Sequence, residues 1–158
     1  MIKVLFVCLG NICRSPAAEA IMNEYFKKAD LADKIICDSA GTSAGHAGQP
    51  SDERMRITAK TRAYEIHHTA RQFTPFDLIE SDYIIAMDQN NYCDIRDQAF
   101  DKEQEHKIFR MCSFCSIHNV TEVPDPYWNR GNEGFNIVLD ILEDACFGLL
   151  KKIKLDLE

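Results

Sequence analysis

The stretch Cys8-Leu9-Gly10-Asn11-Ile12-Cys13-Arg14-Ser15 sets a thiol and a guanidinium six positions apart on a loop that runs into Pro16. Such a loop suits an oxyanion. Its successive N–H groups can converge into a nest, a helix starting beside it adds partial positive charge, and Arg14 can grip two oxygens with its planar fork. Gly10 supplies conformational freedom that a side chain would restrict. The same positive field favours the thiolate of Cys8, the nucleophilic form of a cysteine. Cys8 is therefore expected to attack phosphorus while Arg14 and the amides from Leu9 to Ser15 hold the equatorial oxygens. The resulting phosphocysteine is hydrolysed by water, and neither metal nor cofactor is required. Taken alone, Cys8 fits an inert buried thiol at a strand end equally well; the flanking strand and helix signals favour the catalytic reading.

Expulsion of a phenolate is eased by a proton arriving as the bond breaks, so this chemistry calls for a general acid that later activates water. Asp125 is the best candidate. Pro126 restricts its backbone to extended conformations, and Tyr127 and Trp128 offer aromatic surface to a ring-bearing substrate.

The elements that must position these groups read as alternating strands and helices. Residues 3–8 (KVLFVC) form a continuous apolar run, as in a strand covered on both faces. Ser15 reads as a helix N-cap with Pro16 at the first helical position. Residues 34–38 read as a second strand, followed by a loop over 39–50 and a helix from Ser51-Asp52-Glu53 toward Tyr64. A third strand over 83–87 precedes a short helix near 90–97, and a weaker fourth covers 107–111. The last helix carries Phe135, Val138, Leu139, Leu142, Cys146, Leu149, Leu150 and Ile153 on one face, as core packing requires. Buried strands alternating with helices imply an α/β fold, a parallel sheet with helices on both faces, whose ligands sit beyond the carboxyl ends of the strands. The loop after the first strand is the first place to look.

At 158 residues the chain is expected to form one domain spanning 1–158, with no run apolar enough to cross a membrane. Seven cysteines without an export signal favour reduced thiols and a cytoplasmic location. A net charge of -7 disfavours nucleic-acid and anionic-membrane partners, so phosphate must be captured by a local device.

Residues 7–16 resemble the N-terminal VCxGNxCRSP signature of the low-molecular-weight protein tyrosine phosphatases, and Asp125-Pro126-Tyr127 is similar to that family's acid motif. Further matches are Asp38-Ser39-Ala40-Gly41, His68-Thr69-Ala70-Arg71-Gln72 and Met87-Asp88, so the resemblance covers nearly the whole chain. It implies a four-stranded parallel sheet, a metal-free two-step mechanism, phosphotyrosine proteins as substrates, and phosphate or other oxyanions as product or inhibitor. It also implies that Asn11, Ser15, Ser39 and His68 hold the loop in a strained shape, that Asp88 positions Arg14, and that Cys13 is a reversible disulfide partner for Cys8.

The pattern departs from the family at Gly45, where an aromatic cleft wall is expected; His46 and Trp128 are candidates to replace it. Residues 129–134 read as one residue longer than usual. Ile12, where arginine-directed members tend to carry Thr, favours tyrosine, and Leu9 is placed at the pocket mouth. Arsenate reduction would need further cysteines after the third strand, where only Cys93 lies. Cys112 and Cys115 with His118 suggest zinc, but a fourth ligand is lacking. A silent phosphopeptide-binding module would keep the cradle without the chemistry, against which stand Cys8, Arg14 and Asp125.

Overall fold

The computed structural model of the chain describes residues 1–128 and 131–158. Strands β1 (Ile2–Cys8), β2 (Ile35–Gly41), β3 (Tyr83–Ala86) and β4 (Ile108–Arg110) form one sheet in the order β2-β1-β3-β4. Every neighbouring pair is parallel. Alternate residues of a strand face opposite sides. On β1, Val4, Phe6 and Cys8 join one buried cluster with Phe26, Phe135 and Leu142, while Leu5 and Val7 join another with Leu78 and Ile95. Both faces are covered, which is why residues 3–8 show no polar alternation.

Helices α1 (Arg14–Lys28), α2 (Glu53–Lys60) and α6 (Glu133–Asp156) supply the first layer; α3 (Pro75–Glu80) and α4 (Gln89–Arg96) supply the second. A single turn, α5 (Lys102–Glu105), precedes β4. Two 3₁₀ turns lie at Met111–Phe114 and Pro126–Trp128. The eight apolar positions expected on one face of α6 are all buried.

Three expectations are corrected. The first helix starts at Arg14 with Cys13 as N-cap and no side-chain cap, because Ser15 turns its hydroxyl into the loop. Pro16 remains in the first turn, where its missing N–H has no helical partner to lose. The second strand runs on to Gly41, paired with Cys8. The fourth is shorter than 107–111 because the chain tightens into a 3₁₀ turn at Met111.

Since β1 lies between β2 and β3, the chain departs in opposite directions across the sheet from the β1 and β3 ends, and a crevice opens there. The loop after β1 and the residues after β3 both face it.

Candidate active site

In the loop after β1 the carbonyls of Cys8, Leu9 and Ile12 accept the amides of Thr42 (2.9 Å), Ser43 (2.9 Å) and Asp52 (2.8 Å). In a trans peptide the following N–H points the opposite way, so the amides of Leu9, Gly10 and Cys13 turn away from these partners. Those three residues line a cavity of about 170 Å³, together with Cys8, Ile12 and Arg14. The Asn11 amide lies 3.3 Å from Cys8 Sγ, and Ser15 Oγ lies 3.0 Å from it. Both can stabilise sulfur as an anion or leaving group.

The conformational freedom expected of Gly10 belongs instead to Asn11, which sits at φ 57°. A left-handed non-glycine residue costs roughly 1–2 kcal/mol, and here side-chain hydrogen bonds offset it. Asn11 Nδ2 donates to Ser15 Oγ (2.8 Å) and Ser39 Oγ (3.0 Å), while its Oδ1 accepts from His68 Nε2 (2.7 Å) and the Arg71 amide (2.9 Å). Gly10 is small for a different reason: a Cβ there would meet His46 Cδ2 at 2.9 Å. A Cβ on Gly41 would meet the Leu9 carbonyl oxygen at 2.7 Å.

Behind Asn11, Ser39 Oγ donates to Glu19 Oε1 (2.8 Å), which also faces His68 Nδ1 at 3.3 Å. An amide oxygen only accepts, so His68 carries its proton on Nε2. Burial, with a smaller push from Asp38, raises the Glu19 carboxyl to about 7 against the pull of Ser39 and Arg71. Burial likewise lowers His68, with Asp38 opposing and Arg71 adding. Arg71 itself clamps Asp38 (3.0 Å) and Asp77 (2.9 Å). The sequence motifs do not single out Glu19, and they give Arg71 no role of its own.

The Arg14 side chain is 3% exposed, and its Nη1 donates to Asp88 Oδ2 (2.7 Å) and the Val123 carbonyl (3.1 Å). Nη2 lies 3.4 Å from Asp125 Oδ2. Burial opposes its charge, but Cys8, Asp88 and Asp125 outweigh this and raise its pKa. The Val123 amide donates to the Met87 carbonyl (2.9 Å), which pins the Asp125 segment to the end of β3. Asp125 Oδ1 accepts the Tyr127 amide at 3.0 Å.

The cavity walls also include Gly45, His46, Asp125, Tyr127 and Trp128. The His46 ring stands edge-on to Tyr127 at 5.5 Å, and Tyr127 to Trp128 at 4.8 Å. His46 Nδ1 meets Gln49 Oε1 at 2.9 Å. Ile12 is 7% exposed and Leu9 45%, which puts Ile12 at the floor and Leu9 at the rim. Arg54, also unforeseen, donates to Asp52 (2.8 Å) and the Tyr127 carbonyl (3.2 Å), joining α2 to the aromatic wall. Of the longer segment expected at 129–134, residues 129 and 130 lie outside the described residues.

Cys13 is buried, and burial foremost, with Asp52, Cys8 and Asp125 adding, raises its thiol pKa far above the usual range. Cys93 is not among the cavity residues; its sulfur accepts from Gln89 Nε2 at 3.4 Å. His118 faces Asp144 (3.0 Å) and Cys115 faces the Ile141 carbonyl (3.9 Å), so among the described residues the Cys112, Cys115 and His118 set does not converge on a metal geometry. Glu19, Asp38 and His68 do come together, but their polar atoms are engaged with Ser39, Arg71 and Asn11.

A model of the low molecular weight phosphotyrosine protein phosphatase family matches residues 3–158. The chain is 41% identical to the low molecular weight protein-tyrosine-phosphatase YfkJ of Bacillus subtilis, over 98% of this chain and 97% of that one. Among solved structures it is similar to a protein tyrosine phosphatase from Entamoeba histolytica with Hepes in the active site, at 47% identity and TM-score 0.96, covering 100% of both chains. A Drosophila arginine phosphatase shares 31% identity and a TM-score of 0.90 over 97% of this chain and 98% of that one.

Proposed function

We propose, for a chain that belongs to the low molecular weight phosphotyrosine protein phosphatase family, that Cys8 is the nucleophile, Arg14 the phosphate clamp and Asp125 the general acid. The chain is a protein-tyrosine phosphatase and hydrolyses phosphotyrosine. The observation that carries the assignment of roles is the meeting of these three side chains in one cavity at the carboxyl end of β1.

In the first step Cys8 Sγ attacks phosphorus and the P–O bond to the tyrosyl ring breaks. Asp125 gives its proton to the departing oxygen. The equatorial oxygens are held by Arg14 and by the amides between Leu9 and Ser15, where charge develops in the transition state. In the second step water attacks the phosphocysteine and Asp125, now a carboxylate, takes its proton. The S–P bond breaks, releasing inorganic phosphate and returning Cys8 as thiolate, for which Ser15 Oγ at 3.0 Å is a ready hydrogen-bond donor. Asn11, Ser15, Ser39, His68 and Asp88 act by holding the loop and Arg14 in place. Leu9, Ile12, Gly45, His46, Tyr127 and Trp128 shape the cleft, and Ile12 and the aromatic wall suit a phenyl phosphate. Cys13 acts as redox partner to Cys8.

We further read residues 1–158 as one catalytic domain acting in the cytoplasm, with phosphate and other oxyanions as product or inhibitor. Support for the location comes from seven free cysteines. Among the described residues, no helix is long and apolar enough to cross a membrane. Aryl phosphate hydrolysis by the unmodified chain and by Cys8→Ser tests the assignment: turnover retained in the serine variant removes Cys8 from the chemistry.

A further inference from the structure

We propose that this chain pairs with a second copy of itself through the outward face of α6, with Phe147 on the two-fold axis. Asp140, Glu143, Phe147, Lys151 and Lys154 follow one another along this helix. At 3.6 residues per turn they fall within about 40° of the Phe147 direction, a single stripe. The stripe reverses its charge about Phe147. Carboxylates precede the ring by seven and four residues, and ammonium groups follow it by four and seven. An antiparallel copy centred on Phe147 sets Asp140 against the partner's Lys154 and Glu143 against the partner's Lys151. Two-fold symmetry makes each pairing twice.

The two ends are unbalanced within one chain. Asp140 and Glu143 share the single guanidinium of Arg62. Among the described residues, no carboxylate pairs with Lys28, Lys151 or Lys154, and Lys151 instead rests its ammonium 4.5 Å from the Phe147 ring centre.

The apolar relief on this face has the same symmetry. Phe147 is 51% exposed, and Ile117 beside it is 82% exposed. Ile117 is not a loose tip: the carboxylate of Asp144 accepts the amides of Ser116 (3.0 Å), Ile117 (3.0 Å) and His118 (2.8 Å). On the other side of Phe147 lies a hollow of about 370 Å³ bounded by Tyr25, Ala29, Leu150 and Lys154. The same antiparallel register sets Asp144, and hence the Ile117 knob fixed on it, opposite the partner's Leu150. Each copy thus offers a knob where the other offers a hole.

A second copy is favoured over an unrelated protein because an isologous contact requires charge that reverses about one residue, whereas contact with another protein does not. None of these residues lines the cavity at Cys8, so both active sites stay open in the pair.

The test is sedimentation equilibrium of the full chain from about 1 to about 100 μM, at low and high salt. A concentration-dependent dimer that salt weakens is expected. Phe147→Asp should be monomeric throughout with aryl phosphate turnover unchanged. Lys154→Asp, at an exposed position, should weaken the dimer about tenfold, and the charge swap Asp140→Lys with Lys154→Asp should recover most of that loss. Should Phe147→Asp fail to fold, the lysine variant and its swap carry the test. A wild type that is monomeric at every concentration, or a dimer indifferent to these substitutions, overturns the proposal.

Discussion

Arg14 Nη1 and Asp88 Oδ2 lie 2.7 Å apart, while the other Asp88 oxygen accepts the Asn91 amide at 2.8 Å, so one carboxylate holds the phosphate-loop guanidinium and caps α4. The residues after β1 and β3 are thereby locked together across the crevice between them. Because Asp88 is pinned by a helix terminus, it aims Arg14 with little freedom of its own.

Asp88→Asn separates these duties. Asparagine caps a helix as well as aspartate does, but it carries no charge to pair with Arg14. A fall in kcat/KM of roughly 10–100-fold is expected, with melting temperature nearly unchanged. Steady-state kinetics beside thermal melts checks this; a large loss of stability with activity intact would reverse the assignment.

Asp125→Ala should slow turnover in a manner that depends on the leaving group. Tyrosine phosphate, whose phenolate leaves poorly, should lose roughly 10²–10⁴-fold in rate, and an activated nitrophenyl phosphate much less. Equal slowing of both in stopped-flow traces would take the acid role away from Asp125.

Glu19 makes stability depend on pH. Its folded pKa, about 7, is raised above the ordinary 4.5, so the native state prefers it protonated. That contribution is complete below pH ~4.5 and is lost as pH rises to ~7, by at most about 3 kcal/mol. The lowered pKa of His68 acts in the other direction, contributing above its ordinary 6.5 and fading as pH falls through the folded value. Glu19→Gln keeps a donor for His68 without the charge, so urea unfolding at pH 5 and pH 8 should show the wild type losing stability relative to the variant as pH rises. Parallel behaviour of the two proteins would rule this out.

Mild peroxide should inactivate the enzyme reversibly. On the proposed roles, peroxide would oxidise Cys8 to a sulfenic acid, the Cys13 sulfur would attack it with loss of water, and added reductant would return the disulfide to two thiols. Burial keeps Cys13 protonated, so Cys8 reacts first. Cys13→Ala should lose most of this recovery; full recovery in that variant would exclude a protective disulfide.

How much of this was legible in the sequence depends on how far apart the interacting residues lie. The run from Lys3 to Cys8 reads correctly because burial on both faces leaves a plain apolar pattern. Cys8 and Arg14 are legible because their spacing lies within one loop. Helix α3 was missed although Thr74, Pro75 and Asp77 carry a capping-box signal, and α5 although Asp101 caps it. The Glu19, Ser39, His68 and Asn11 network could not be derived locally, since it is assembled by the crossover from β1 to β2 and the loop that returns beneath it. Gly10 was assigned to backbone freedom because its close neighbour, His46, is remote in sequence. Ser15 was read as a cap because its true partners, Asn11 and Cys8, make sense only once the loop is folded.

The most direct test of the central claim is acid quench of a single turnover, followed by mass-spectrometric mapping of phosphate on the chain. A phosphate carried on the Cys8 peptide, formed and lost at rates matching turnover, is the expected result. Turnover with no phosphate on Cys8, or with phosphate on another residue, would contradict it.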